Sequence, residues 1–154
     1  MFLLLLSIVA SANPFPSGNV GIGIALGAPT GFVGKMYLGD SLGVQLSIGG
    51  DLGEIGNVGV TTDVVNHFET INNAEDGYSI FPYMGGGITA SASSRTSLNQ
   101  RTAETFVGPR GIFGCGVVIE GLSGEIFVEV APTIYIVQRF SWGIDGQLGI
   151  RYFF

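Results

Sequence analysis

The sequence predicts an all-β fold, an eight-stranded antiparallel up-and-down transmembrane β-barrel, and three observations predict it. The 154 residues are 46% hydrophobic and only 12% charged, about half the charged fraction of an ordinary soluble domain; the mean hydropathy is +0.48. No uninterrupted apolar run reaches the ~20 residues that a spanning helix needs, because the apolar residues are interleaved with 26 glycines, and glycine is costly inside helices. Finally, large apolar residues recur at every second position through eight segments, giving each one an oily face and a small or polar face. Apolar outside and polar inside is how the strands of a membrane-spanning barrel read.

The chain opens on an apolar stretch from Phe2 to Ala10 and then reads Ala10-Ser11-Ala12, an A-x-A-like cleavage site. Residues 1–12 are therefore expected to be a secretory signal peptide, with Asn13 at the mature N-terminus and residues 13–154 forming the barrel. Basic residues ahead of the apolar core are missing, which points to an internal Met and a true start upstream. A buried N-terminal strand is the alternative. No cysteine follows the cleavage site, which speaks against a lipoprotein anchor. Cys115 is the sole cysteine, so no internal disulfide forms, and its phase puts it on the lipid face as a small apolar residue. A net charge of −6 and a pI near 4.5 argue against nucleic acid as a partner.

The strands follow in order, separated by turn residues. The first, residues 19–27, points Val20, Ile22, Ile24 and Leu26 outward and Gly21, Gly23 and Ala25 inward. The second, 31–38, has Phe32, Met36 and Leu38 outside and Lys35 and Tyr37 inside. The third, 41–49, sends Leu42, Val44, Leu46 and Ile48 out and Gly43, Gln45 and Ser47 in. In the fourth, 55–66, Val58, Val60 and Val64 oppose Asn57, Thr61 and Asp63. In the fifth, 78–92, Ile80, Met84 and Ile88 oppose Tyr83, Gly85, Gly87 and Thr89. The sixth, 105–119, has Val107, Phe113, Cys115 and Val117 outside and Arg110, Gly114 and Gly116 inside. The seventh, 124–137, alternates Ile126, Val128, Val130, Ile134 and Ile136 with Glu125, Phe127, Glu129, Thr133 and Tyr135. The eighth, 140–154, is the clearest: Phe140, Trp142, Ile144, Leu148, Ile150, Tyr152 and Phe154 alternate with small, polar or charged residues, and aromatics stand at both rims.

Pro82, Pro109 and Pro132 fall inside strands, where each removes a ladder donor, so each is expected to mark a bulge or a strand end. An even strand count puts both termini on one side, the periplasm in bacterial barrels. The outward loops are then 28–30, 50–54, 93–104 and 138–139. Of these only 93–104 is long enough to resemble a binding loop. On the other side, the 67–77 connection is longer than an ordinary periplasmic turn.

At this point the residues resemble a family. Gly21-Ile22-Gly23-Ile24-Ala25-Leu26-Gly27-Ala28-Pro29-Thr30-Gly31 resembles the first hairpin of a family of small bacterial outer-membrane β-barrels, OmpA-like or OmpX-like in architecture. Phe127-Val128-Glu129-Val130-Ala131-Pro132 and Gly149-Ile150-Arg151-Tyr152-Phe153-Phe154 resemble its last hairpin, and Arg110 stands where the family tends to have an arginine in strand six. Tyr152 and Phe154 resemble the C-terminal insertion signal of such barrels. The resemblance implies an eight-stranded barrel in the outer membrane, contact with outer-membrane lipids and lipopolysaccharide, and contact with the barrel-assembly machinery during insertion. It implies no activity, since fold kinship does not carry function.

The candidate site is the set of inward charges: Lys35, Asp63, Arg110, Glu125, Glu129, Asp145 and Arg151. An eight-stranded barrel is just wide enough inside for side chains to fill it, and charges buried there must be paired and hydrogen-bonded. The expected result is an ion-pair network that plugs the barrel, with Arg151 and Glu125 near the periplasmic end and Arg110 and Asp145 nearer the middle. The functional alternative is a narrow, gated ion path through that network. Glu125 and Glu129 share one strand face and could in principle hold a metal or do acid–base work, but the nearby arginines favour salt bridges. His67, the single histidine, is expected in the periplasmic connection as a solvated turn residue. Gly85-Gly86-Gly87 lacks the Lys-Ser/Thr and the following helix of a phosphate loop. Arg95 and Arg101 could meet lipopolysaccharide phosphates, against the plainer reading of a solvated loop. The leading expectation is a monomeric, non-enzymatic barrel without cofactor, structural or surface-contact in role. A small pore and a soluble secreted barrel binding an apolar ligand are the alternatives.

Overall fold

A computed structural model describes residues 18–50, 57–73, 77–97, 100–119, 121–137 and 140–154; the expected signal peptide lies outside them. The strands are β1 (Val20–Gly27), β2 (Thr30–Tyr37), β3 (Leu42–Gly50), β4 (Asn57–His67), β5 (Ile71–Asn73), β6 (Tyr78–Ser97), β7 (Gln100–Ile119), β8 (Gly124–Tyr135) and β9 (Ser141–Phe153). All pairings are antiparallel. Neighbours run β4-β3-β2-β1-β9-β8-β7-β6, and β4 pairs with β6 to close the ring. The result is a closed eight-stranded barrel, with β5 added at its rim.

β5 explains the long 67–77 connection. β4 pairs with β6 as far as His67 opposite Tyr83, and Phe68 N then donates to Pro82 O at 2.9 Å. In an antiparallel strand the N and O of one residue point the same way, so the amide that Pro82 lacks would have pointed at this same neighbour. The ladder breaks there and resumes with Ile71 opposite Ile80. The β7–β8 ladder has no pairs at Ala131 and Pro132 and ends at Arg110, next to Pro109. Around Pro109 and Pro132 the strand registers on either side are unshifted, whereas at Pro82 the register moves by one residue, from His67 opposite Tyr83 to Ile71 opposite Ile80. The bulge half of the expectation therefore holds at Pro82, while Pro109 and Pro132 instead sit at gaps in one of their two ladders.

A second departure concerns the expected outer loop 93–104. It is paired backbone, with β6 and β7 joined from Tyr78 opposite Ile119 to Ser97 opposite Gln100. β4 pairs with β6 only up to Ser93, so this hairpin outruns its neighbours at one end of the barrel. That end is called the long-hairpin end below, and the opposite one the Phe153 end.

The outer wall of the described strands is mostly apolar. Ile22, Ile24, Leu46, Val64, Val128, Val130, Leu148 and Ile150 are all exposed. Trp142, Phe140 and Phe32, at 75%, 78% and 76% exposure, stand toward the long-hairpin end. Tyr152 and Phe154 stand at the other, their rings edge-on at 5.3 Å. From Trp142 to Tyr152 the strand rises about 33 Å, which a tilt of roughly 40° reduces to about 25 Å, the height of the apolar band on a membrane barrel.

Candidate functional site

The interior is filled by rings set against glycines. Tyr83 lies directly opposite Gly114, Phe81 opposite Gly116, Phe153 opposite Gly21 and Phe127 opposite Gly149. In each pair the ring covers the glycine: a Cβ added at Gly116 or Gly149 would come within 2.5 Å of the ring atoms, and one at Gly21 within 2.7 Å. A narrow barrel cannot hold a side chain at every inward position, and leaving the partner bare gives each aromatic a flat bed.

The charges sit among these rings in two groups. The larger lies toward the Phe153 end. Lys35 Nζ is 3.2 Å from Glu125 Oε1, and Arg151, the direct cross-strand partner of Glu125, reaches the same oxygen at 3.3 Å. Arg151 Nη2 also donates to Glu129 Oε1 at 3.0 Å. That oxygen accepts from Gln45 Nε2 at 3.1 Å and from the Tyr83 hydroxyl as well. The Arg151 guanidinium lies 3.5 Å over the centre of the Phe127 ring. Lys35 Nζ lies 4.4 Å from the centre of Tyr83, 5.1 Å from Tyr37 and 5.4 Å from Phe81. Two cations and two carboxylates thus share one buried cluster, with aromatic faces supplying further negative potential to the cations.

The second group lies toward the long-hairpin end. Asp63, Gly87 and Arg110 occupy one rung across three strands. Arg110 reaches over Gly87 to place Nε 3.2 Å from Asp63 Oδ1, and a Cβ at Gly87 would strike both the Asp63 carboxylate and the Thr62 carbonyl. The contact is held by charge rather than by an aligned hydrogen bond, since neither atom has a hydrogen-bond partner among the described residues.

Asp145 stands apart from both groups. Among the described residues it has no ion pair; it accepts from Thr133 Oγ1 at 2.9 Å and from the Tyr135 hydroxyl at 3.5 Å. It is half-buried and shares with Arg110 the wall of a small cavity. Arg110 pairs with Asp63 instead, because Gly87 leaves a straight path between those two.

His67 requires a correction. It is not a solvated turn residue but a buried interior one. Its Nδ1 lies 2.9 Å from Ser41 O, and its ring packs against Tyr37, Tyr83 and Phe81 at 5.1, 5.2 and 5.7 Å. Tyr37 in turn stacks on Phe153 at 5.5 Å. These five rings form a floor across the Phe153 end. The signal was present in the sequence: Thr61, Asp63, Val65 and His67 continue one alternation, and β4 simply runs one residue further than expected. The alternation places Gln45 and Tyr83 inward, but nothing local marks them as partners of Glu129.

Arg95 and Arg101 lie on facing strands of the long hairpin, Arg95 opposite Thr102 and Arg101 opposite Thr96; their side chains lie outside the described residues. Tyr152 and Phe154 are exposed on the outer wall, and Phe154 N donates to Val20 O at 2.9 Å. A soluble barrel built to hold an apolar ligand needs its oil inside. Here most of the large aliphatic side chains face out, and the interior holds rings and buried charges.

Structural comparison gives the fold. The N-terminal β-barrel domain of Pseudomonas aeruginosa OprF superposes with a TM-score of 0.70, over 88% of this chain and 97% of that one, at 16% sequence identity. This chain has the fold of the OprF barrel domain. No family model matches it, and no curated protein matches its sequence. The likeness at this identity is therefore one of fold. It agrees with the eight-stranded, OmpA-like architecture that the end hairpins suggested.

Proposed function

We propose that the protein is a non-enzymatic barrel of the bacterial outer membrane whose interior is plugged by its own ion pairs, serving the envelope as a structural or surface-contact element. The observation that carries this is the buried Lys35–Glu125–Arg151–Glu129 cluster, which lies inside the barrel against the rings of the floor. Each charge has an opposite charge in reach, so the cluster is neutral as a unit. An ion crossing it would have to break pairs that are shielded from water, at a cost of several kcal/mol. The apolar wall about 25 Å high supports the membrane placement, and the OprF barrel fold agrees with it. The Phe153 end then faces the periplasm and the long hairpin faces outward.

In this reading Tyr152 and Phe154 present the insertion signal to the barrel-assembly machinery. Arg95 and Arg101 on the projecting hairpin supply contacts to lipopolysaccharide phosphates, and the barrel works as a monomer. A small ion pore is the second reading, favoured by the cavity beside Arg110 at the outer end.

The test is electrophoretic mobility of the detergent-folded protein with and without heating, followed by single-channel recording on the folded band. A heat-modifiable band that is silent in planar bilayers supports the plug. Steady conductance from the same band, altered in Arg110 or Glu129 variants, replaces it with the pore. Recovery of the native protein in the soluble or inner-membrane fraction overturns the outer-membrane placement.

A further inference from the structure

The two ends of the interior differ in how far solvent enters. At the Phe153 end the inward residues Tyr37, His67, Ser79, Phe81 and Phe153 are all buried. At the long-hairpin end the inward residues Gly59, Ser91, Tyr135 and Asp145 are each partly exposed, although they point into the barrel. Between that open end and the Asp63–Arg110 rung lies a cavity of about 40 Å³ lined by Thr61, Thr89, Ser91, Arg110, Tyr135 and Asp145. Arg110 is 5% exposed, and its Nη1 has no hydrogen-bond partner among the described residues. A buried guanidinium N–H without an acceptor is costly, so the cavity wall presents a donor in need of one.

The chemistry of the wall selects what fills it. Asp145 on the wall and Asp63, paired to Arg110 behind it, together outweigh Arg110 by one negative charge, which disfavours an anion as the acceptor. Three hydroxyls from Thr61, Thr89 and Ser91 offer partners of either sense. The volume admits about two or three water molecules. We propose that this cavity is the foot of a blind, water-filled vestibule. It opens only at the long-hairpin end, admits water and small monovalent cations, and stops at Arg110 and Asp63. Water accepts from Arg110 Nη1, and the residual negative charge draws cations rather than anions to the foot. The inference rests on the plugged reading above, since a vestibule is blind only if the cluster beneath it is closed.

The test exploits two residues of equal burial on opposite sides of the charges, Thr61 at 2% exposure and Ser79 at 3%. Thr61→Cys and Ser79→Cys are made in a Cys115→Ala background and reconstituted in vesicles in nitrate buffer. Silver ion, a small thiol-reactive cation, is added outside. Trypsin then nicks the long hairpin, at Arg95 or Arg101, only in molecules that present it to the reagent. Blocking of the thiol is read in the nicked molecules after unfolding. The expected result is that Thr61→Cys is blocked at least tenfold faster than Ser79→Cys. Slow blocking at both positions overturns the vestibule and leaves the plug standing. Fast blocking at both overturns the blind end and the plug together. Thr89→Cys is the substitute if Thr61→Cys gives no heat-modifiable band, and the same outcomes apply to it.

Discussion

Removing Arg151 is the sharpest test of the interior. Its guanidinium touches Glu125 at 3.3 Å and Glu129 at 3.0 Å and covers the Phe127 ring. In Arg151→Met the aliphatic volume largely remains, but the cluster changes from two cations and two carboxylates to one cation and two carboxylates. Lys35 still answers Glu125, while Glu129 keeps only the neutral donors Gln45 and Tyr83. Breaking a buried pair by deleting one partner costs about 3–5 kcal/mol, because the other charge is left uncompensated. Neutralising Glu129 as well, in Arg151→Met/Glu129→Gln, restores charge balance and removes most of that cost. The expected coupling between the two positions is therefore about 2 kcal/mol or more, at the upper part of the range seen for residues in contact. The assay is urea unfolding in lipid vesicles, followed by loss of the heat-modifiable band. Single variants that each lose less than about 1 kcal/mol and simply add would refute the reasoning, because the charges would then be solvated rather than buried and paired.

Further outcomes follow from the packing and the wall. Gly116→Ala puts a methyl 2.5 Å from the Phe81 ring and should destabilise by about 1–3 kcal/mol, with Phe81→Leu in the same chain recovering much of it in the same unfolding assay. Val130→Arg, at mid-height on the lipid face of β8, should cost about 2–4 kcal/mol, against about 0–1 for Phe140→Arg near the rim; equal costs would contradict the membrane placement. Tyr83→Phe deletes a buried hydroxyl donor to Glu129 and should cost about 1.5–3 kcal/mol, as for a hydrogen bond to a charged group. His67→Ala opens the ring floor and should raise the exchange of the Phe153-end amides well above those of β9 at mid-height, measured by hydrogen exchange in micelles.

Much of the wall was legible because it obeys a local rule. In a strand the side-chain period is two, so a single correct phase assigns every face. The faces of the strand residues singled out, from Val20 to Phe154, could be sorted into lipid and lumen from that phase alone, with His67 the exception. Strand ends were less legible, since hydrogen-bond partners set them. β4 reaches His67 because Tyr83 is there to pair with it, and β6 and β7 pair through Ser97 and Gln100 because each strand is the other's partner. The polar composition of 93–104 suggested a loop, and pairing overrode it.

What the sequence determined by itself is the class of the protein: alternation, low charge and interleaved glycines admit a closed strand barrel with its oil outside. It also determined which charges face inward. What only the tertiary structure decided is who meets whom. Closure brings β4 against β6 and β1 against β9, and the stagger between strands sets the height of each residue. Those two facts send Arg110 over Gly87 to Asp63 and leave Asp145 to hydroxyls. They also gather Lys35, Gln45, Tyr83 and Arg151 around two glutamates from one strand. Contacts of this kind join residues as far apart as Lys35 and Glu125, and no local period encodes the rotation and stagger that bring them together.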